Sequence, residues 1–204
     1  DVQEAMTSHF RGTDREILLL SGVETSDATD AEAELGSSEY AKAVLGQIWG
    51  FPPALDLQQE AALQRCLREL IQSHQIESAH DCSEGGLAVA IAEAGFAAGI
   101  GAQIHLNSNG LFAEAVLFGE DSSRVVITCD SQKIQNIKQV AVKWGLRVEQ
   151  VGRTVPENLR ISIDGHQVVN ALVSELRQEW DVALRRALHA EAPEHLVPDV
   201  LQKS

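Results

Sequence analysis

The stretch His80-Asp81-Cys82-Ser83-Glu84-Gly85-Gly86-Leu87 constrains the chain more than any other part of it. A short strand-like segment at 76–79 precedes it, and the apolar run 88–94 that follows has helical composition. Two glycines between a strand and a buried helix allow positive φ angles and close approach of a ligand to the main chain. The start of the helix adds unpaired N–H groups and the positive end of its dipole. The stretch therefore predicts a turn that can present N–H groups to an anion.

Two side chains of this turn suit a nucleotide bound together with Mg²⁺. Asp81 offers an anionic metal ligand, and Ser83 offers a hydroxyl donor. Two other interpretations of the same residues stay open. In one, Ser83 only caps the helix and the glycines permit tight packing. In the other, His80 and Cys82 form a catalytic or metal-binding pair, although the sequence shows no group that would activate the thiol.

The charge balance and the cysteines restrict the class of protein. Sixteen basic residues stand against thirty acidic ones in 204 residues, a net charge of −14. A nucleic-acid partner or an anionic membrane surface would need clustered Lys and Arg, so we expect neither partner. The three cysteines, Cys66, Cys82 and Cys129, form no C-x-x-C pair and predict reduced thiols. No signal peptide or membrane-length apolar run is visible, so we expect a cytoplasmic protein.

The order of helical and strand-like segments predicts one α+β domain with α/β layers, in which a mixed β-sheet is covered by helices. We expect a linker or frayed N-terminus over 1–15, a single domain over 16–190, and a weakly ordered tail over 191–204. Strands and helices are interleaved, yet Asp164-Gly165 is a strong signal for an antiparallel hairpin. This hairpin and the short linkers argue against a doubly wound nucleotide-binding fold.

Individual segments give more local predictions. Residues 17–20 read as a buried strand, 24–32 as an acidic surface loop, and 124–129 as a strand rich in β-branched residues. Either Ser37 or Ser38 is expected to cap a helix at 41–45, and Asp56 with Gln59 has the spacing of a capping box. Further helices are predicted over 131–144 and 171–189, and His105 is expected on an exposed strand face.

Three segments, each a weak signal alone, together resemble one family. They are Glu34 to Tyr40 (ELGSSEY) with Pro52 to Leu57 (PPALDL), His80 to Ala88 (HDCSEGGLA), and Leu117 to Glu120 (LFGE) with Ser123-Arg124. In this order and spacing they resemble phosphoribosylformylglycinamidine synthase, the synthetase component of purine biosynthesis. The match is to its last domain, the second of two C-terminal-type domains of the aminoimidazole ribonucleotide synthetase superfamily. The resemblance extends from about Ile17 to Leu188.

The resemblance implies part of an ATP-dependent carbon–nitrogen ligase. Such an enzyme phosphorylates the amide oxygen of formylglycinamide ribonucleotide, and glutamine-derived ammonia then displaces the phosphate to form an amidine. The family's catalytic histidine and most ATP contacts lie in upstream domains, so no catalytic residue is assigned here. We therefore expect the chain alone to be inactive. Implied partners are the preceding synthetase domains, the glutaminase component and formylglycinamide ribonucleotide.

Carried over residue by residue, the resemblance makes Asp81 a Mg²⁺ ligand. Ser83, Gly85 and Gly86 then contact ATP or ADP, as do Gly36 and Ser37. One departure is Ser37, which stands where the family usually has a second glycine and adds a Cβ where bare backbone is expected. In some members the nucleotide at this site is structural rather than reacting.

Two alternatives to a nucleotide half-site stay open at this point. In the first, the domain is a non-catalytic scaffold that holds its neighbours and the glutaminase. In the second, the chain comes from another ATP-dependent enzyme of the same superfamily, of the selenophosphate, thiamine-phosphate or hydrogenase-maturation type.

Overall fold

The computed structural model describes residues 6–22, 35–47 and 49–190. Its strands are β1 (Glu16–Ser21), β2 (Ser78–Asp81), β3 (Ile100–Leu106), β4 (Arg124–Cys129), β5 (Arg147–Pro156), β6 (Asn158–Ile163) and β7 (His166–Leu172). Its helices are α1 (Glu39–Ala43), α2 (Leu57–Gln72), α3 (Gly86–Phe96), α4 (Ala113–Phe118), α5 (Ile134–Lys143) and α6 (Val173–Ala190), with a 3-10 turn at Ser131–Lys133 before α5.

The strands of the described part form one sheet in the order β2-β4-β1-β5-β3-β6-β7. Neighbouring strands are antiparallel except for β3 and β6, which pair in parallel. The predicted mixed sheet covered by helices is therefore confirmed.

The side chains of β1, an interior strand of the sheet, alternate between two hydrophobic cores on opposite faces. Ile17 and Leu19 face a core with helices α3, α4 and α6, whereas Leu18 and Leu20 face a second core with α2 and α5. A strand that is apolar on both faces can be buried on both, because successive side chains point to opposite sides of the sheet. Helices α2 and α5 cover only part of their face, so His105 on β3 is exposed there, as predicted.

The residues just before β1 belong to the first core. The side chain of Phe10 is 1% exposed, and its N–H donates to the carbonyl of Ala94 in α3. Nearby, the hydroxyl of Thr154 donates to the carbonyl of Gly12. The expectation of a linker or frayed end is therefore wrong for residues 6–15. The single buried aromatic side chain of Phe10 anchors this otherwise polar segment to the core. A single apolar residue has no repeating pattern, so the sequence did not predict this packing.

The predicted caps and the hairpin have clear counterparts in the structure. Ser38, rather than Ser37, caps α1 by accepting from the N–H of Ala41. Asp56 caps α2 by accepting from two N–H groups, those of Gln58 and Gln59.

The Asp164-Gly165 hairpin turn has φ angles of +49° and +81°, as in a type I′ turn. The predicted loop 24–32 and tail 191–204 lie outside the described residues. Within the described ranges, no helix combines the length and apolar character that a membrane crossing requires.

Candidate functional site: three turns joined through Glu120

Three segments that lie far apart in the sequence meet around the loop after α4. One carboxylate oxygen of Glu120, Oε1, accepts from the N–H of Glu39 at 2.9 Å and from the N–H of Gly85 at 2.8 Å. The ring of Phe118 stacks on that of Tyr40, with centroids 5.0 Å apart and an interplanar angle of 19°. The segments identified by sequence are thus neighbours in space, and the loop 118–120 joins the other two.

The two glycines of the turn at 83–86 both adopt positive φ angles, +81° at Gly85 and +67° at Gly86. A Cβ built on Gly86 would lie 2.6 Å from the carbonyl oxygen of Gly119 and 2.8 Å from the carbonyl carbon of Phe118. Both neighbours are main-chain atoms, which cannot rotate aside. Gly86 is therefore required by close approach of two backbones as well as by its own conformation.

The N–H groups of both glycines in this turn already have partners within the domain. The N–H of Gly85 donates to Glu120, and that of Gly86 donates to the carbonyl of Ser83 at 3.0 Å. Gly85 is the N-cap residue of α3, and no side chain caps this helix. The interpretation that Ser83 caps the helix is therefore wrong, and its side chain stays exposed.

Asp81 ends β2 immediately before the turn, with its side chain 75% exposed. The side chain of the neighbouring His80 is 14% exposed, and each of its ring nitrogens lies near an oxygen atom. Its Nδ1 lies 2.8 Å from the carbonyl oxygen of Asp81, and its Nε2 lies 3.4 Å from a carboxylate oxygen of Glu93. The indole N–H of Trp180 donates to the other oxygen of Glu93 at 3.0 Å. His80 thus links the end of β2 to α3, and the exposed side chain of Asp81 lies next to this link.

The carboxylate of Asp81 is suited to supply one of the oxygen ligands of a Mg²⁺ ion. Among the described residues, no group of three or more His, Cys, Asp or Glu side chains could hold a metal ion. Mg²⁺ takes oxygen ligands in octahedral geometry and is often held by one or two carboxylates together with phosphates and water. An exposed carboxylate such as Asp81 can supply one such ligand, while the others would come from a nucleotide, water or another domain.

The second predicted binding segment, Gly36-Ser37, forms a turn before α1. Ser37 has a φ of +57°, a left-handed conformation that favours glycine. Its N–H donates to the carbonyl of Trp49 at 2.7 Å, and its hydroxyl contacts the carbonyl of Gly50 at 3.4 Å. This left-handed conformation explains why a glycine is expected at this position, and the serine adopts it here.

The start of β4 holds the joining loop in place. The Arg124 guanidinium donates to Asp121 at 3.0 Å and contacts the carbonyl oxygen of Gly119 at 3.4 Å. The Ser123 hydroxyl donates to Glu60 of α2 at 2.7 Å. The sequence pointed to this segment but assigned no role to Glu120. The sequence feature that could have indicated Glu120 is its position directly after the apolar stretch Leu-Phe-Gly.

Cys82 does not behave as a nucleophile. Its side chain is 5% exposed, and burial raises the pKa of its thiol to about 11. The nitrogens of His80 face Asp81 and Glu93 rather than this thiol. The alternative of a Cys82–His80 catalytic pair is therefore wrong, since a reactive thiol needs a lowered pKa and access.

We expect Cys82 of the folded chain to resist iodoacetamide. At pH 8 a thiol with a pKa of about 11 is ionised in only roughly one molecule in a thousand. Mass spectrometry after labelling should show Cys82 reacting at least about a hundredfold more slowly in the folded chain than in guanidinium. The unfolded chain is the control, and rapid labelling of Cys82 in the folded chain would contradict this expectation.

The mixed sheet with helices on both faces defines this chain as an α+β domain. Its candidate site is built from three segments that meet at Glu120. Residues 16–164 match the family AIR synthase related protein, C-terminal domain, and the chain belongs to that family.

The curated relatives carry one name. The chain is 37% identical over 147 residues to the phosphoribosylformylglycinamidine synthase subunit PurL of Moorella thermoacetica, covering 72% of this chain and 20% of the relative. It is also 37% identical over 173 residues to the subunit of that name from Thermus thermophilus, covering 85% of this chain and 22% of the relative. The chain therefore spans about a fifth of the length of these relatives.

Solved structures show the same fold. PurL of Thermotoga maritima in complex with FGAR superposes with a TM-score of 0.71 at 21% identity, covering 85% of this chain and 29% of that one. Its complex with ATP gives a TM-score of 0.67 at 20% identity, covering 85% and 27%. The hydrogenase maturation protein HypE with ATP gives 0.55 at 13% identity, covering 84% and 54%. At these identities the likeness establishes the fold alone.

Proposed function

We propose that this chain is the C-terminal domain of an ATP-dependent ligase, phosphoribosylformylglycinamidine synthase. The complete enzyme would convert formylglycinamide ribonucleotide and glutamine-derived ammonia to formylglycinamidine ribonucleotide. The observation that carries the proposal is the contact of Glu120 with both Glu39 and Gly85, which joins the three segments of the resemblance into one site. The names of the curated relatives support the same assignment.

Within this enzyme the domain would contribute half of a Mg²⁺–nucleotide site. Asp81 would supply one oxygen ligand to the metal, and Ser83 would donate its exposed hydroxyl to a phosphate oxygen. A bound Mg²⁺ would neutralise part of the phosphate charge. Because the N–H groups of Gly85 and Gly86 have internal partners, we assign these glycines the role of shaping the turn. We assign the corresponding role to Gly36 and Ser37 in the other turn.

Other domains would supply the rest of the site. One exposed carboxylate is too few ligands to hold Mg²⁺ alone, so the preceding synthetase domains are the proposed partners for nucleotide binding. The glutaminase component would be the partner for ammonia. The three free thiols, Cys66, Cys82 and Cys129, support the cytoplasm as the proposed compartment.

An assembly role accompanies the nucleotide role in this proposal. The segment that leads into α2 exposes three large apolar side chains: Phe51 is 80% exposed, Leu55 is 59% exposed, and Leu57, the first residue of α2, is 71% exposed. Neighbouring exposed apolar side chains often mark an interaction surface. The segment is tied to the site, because the hydroxyl of Ser122 donates to the carbonyl of Ala54 at 2.9 Å. A domain that completes the nucleotide site could therefore contact this segment as well.

A thermal-shift titration with Mg²⁺–ADP tests the nucleotide role. It compares this chain alone with the chain together with the synthetase domains that complete it. A ligand that binds only the folded state stabilises it by about 2.7 kcal/mol at a hundred times its Kd. We expect such a stabilisation in the complete synthetase and a much smaller one in the isolated chain. The complete synthetase that carries Asp81→Ala should be stabilised less than the unsubstituted one.

The control for this titration is Glu114→Ala, which removes an exposed carboxylate from α4. This variant should respond to Mg²⁺–ADP as the unsubstituted protein does. An Asp81→Ala synthetase with an unchanged response would contradict the proposed half-site and leave the assembly role as the function of the domain.

A further inference from the structure

The most informative group with no assigned role is the carboxylate of Glu120. We propose that Glu120 is a positioning residue that sets the spacing between the turn before α1 and the Asp81–Gly86 turn. This inference rests on the proposed nucleotide site and adds the residue that would hold its two turns in register.

Geometry supports a positioning role, since one oxygen of Glu120 binds both turns. Its Oε1 accepts from the N–H of Glu39, the first residue of α1, and from that of Gly85, the N-cap of α3. Hydrogen bonds to a carboxylate are shorter and stronger than those between neutral groups. A shift of either turn by about 1 Å would stretch one of these two bonds beyond hydrogen-bonding distance. The carboxylate therefore limits how far the two turns can separate.

The loop that carries Glu120 is itself fixed on both sides. Gly119 lies against Gly86, where there is no space for a Cβ, and Phe118 stacks on Tyr40. Arg124 contacts the carbonyl of Gly119 at 3.4 Å from the β4 side. Because these contacts do not involve the carboxylate of Glu120, removing that carboxylate should leave the loop in place. The turns would then lose a shared acceptor while the fold stays intact.

Two substitutions separate the effect of the acceptor oxygen of Glu120 from the effect of its negative charge. Glu120→Gln keeps a carbonyl oxygen at the same distance from the main chain, so it can still accept from Glu39 and Gly85. Glu120→Ala removes the acceptor and leaves two main-chain N–H groups without their partner, which is unfavourable for partly buried groups. A positioning role therefore predicts that Gln largely rescues what Ala loses.

The test measures the Kd of Mg²⁺–ADP for the complete synthetase by titration calorimetry, together with hydrogen exchange of peptides covering 81–87. We expect Glu120→Ala to raise the Kd by at least about tenfold, because the two turns lose the acceptor that they share. Exchange in 81–87 should become faster without ligand. Glu120→Gln should stay within about threefold of the unsubstituted protein. Glu114→Ala, an exposed carboxylate in the preceding helix, should match the unsubstituted protein.

Asp81→Ala is measured in parallel so that two failures can be told apart. If Glu120→Ala binds normally while Asp81→Ala does not, the positioning role is wrong and the proposed function stands. If both bind normally, the nucleotide half-site itself is wrong. A lowered melting temperature with an unchanged Kd would show a purely structural residue and would also overturn the inference.

Glu120→Asp replaces Glu120→Ala if the latter does not fold. It keeps the charge but is one methylene shorter, so it cannot reach both N–H groups from a fixed loop. Normal binding by this variant would overturn the inference, and a Kd raised by about tenfold or more would support it.

Discussion

Gly86→Ala is expected to destabilise the folded chain by about 3 kcal/mol, combining a conformational penalty with a steric one. A non-glycine residue in the left-handed region costs roughly 1–2 kcal/mol, and Gly86 has a φ of +67°. The new Cβ would also lie 2.6 Å from the carbonyl oxygen of Gly119. Overpacking of this kind adds about 1–3 kcal/mol, since main-chain atoms must move to relieve it.

Urea unfolding of Gly86→Ala and Gly99→Ala separates the two penalties. Gly99 has nearly the same backbone angle, a φ of +65°, but a Cβ added there meets no atom within 4 Å. Gly99→Ala should therefore show only the conformational cost of about 1 kcal/mol. The difference between the two variants measures the contact between the glycine turn and the loop 118–119. Equal losses of stability would contradict the close approach of the two segments.

Local sequence signals were sufficient for most elements of the fold. The apolar run in β1, the capping residue Asp56 and the Asp164-Gly165 turn each act over a few residues, and each prediction is confirmed. The strand order could not be predicted in this way. It depends on pairings such as Leu19 with Glu149, which join residues 130 positions apart without a local signature.

The candidate site shows the same division between local and long-range information. The glycine turn was predictable because Gly85-Gly86 stands between a strand and an apolar helix. The contacts that join it to the other turns were not, since they run from the Glu120 side chain to main-chain groups 35 and 81 residues away. Sequence also suggested that the N–H groups of the turn were free for an anion, whereas Glu120 occupies that of Gly85. A side chain that satisfies a distant N–H group leaves no periodic pattern.

Asp81→Ala should lower kcat/KM of the complete synthetase for ATP by at least about a hundredfold while assembly stays normal. Loss of groups that merely orient a metal ligand costs roughly 10–100-fold in affinity or activity, so loss of a ligand itself should cost at least as much. The side chain is 75% exposed, and exposed substitutions usually change stability by about 0.5 kcal/mol or less. A loss of activity would therefore not arise from unfolding.

Size-exclusion chromatography and steady-state kinetics on the same preparations distinguish a binding site from a scaffold. Asp81→Asn keeps an oxygen ligand without the charge, so its activity should fall between those of Asp81→Ala and the unsubstituted enzyme. Glu114→Ala removes an exposed carboxylate elsewhere and should leave both assembly and kinetics unchanged. If Asp81→Ala assembles and turns over normally, Asp81 is not a ligand to a metal ion that turnover requires. If it fails to assemble, the exposed end of β2 is part of an interface, and the domain acts as a scaffold at this position.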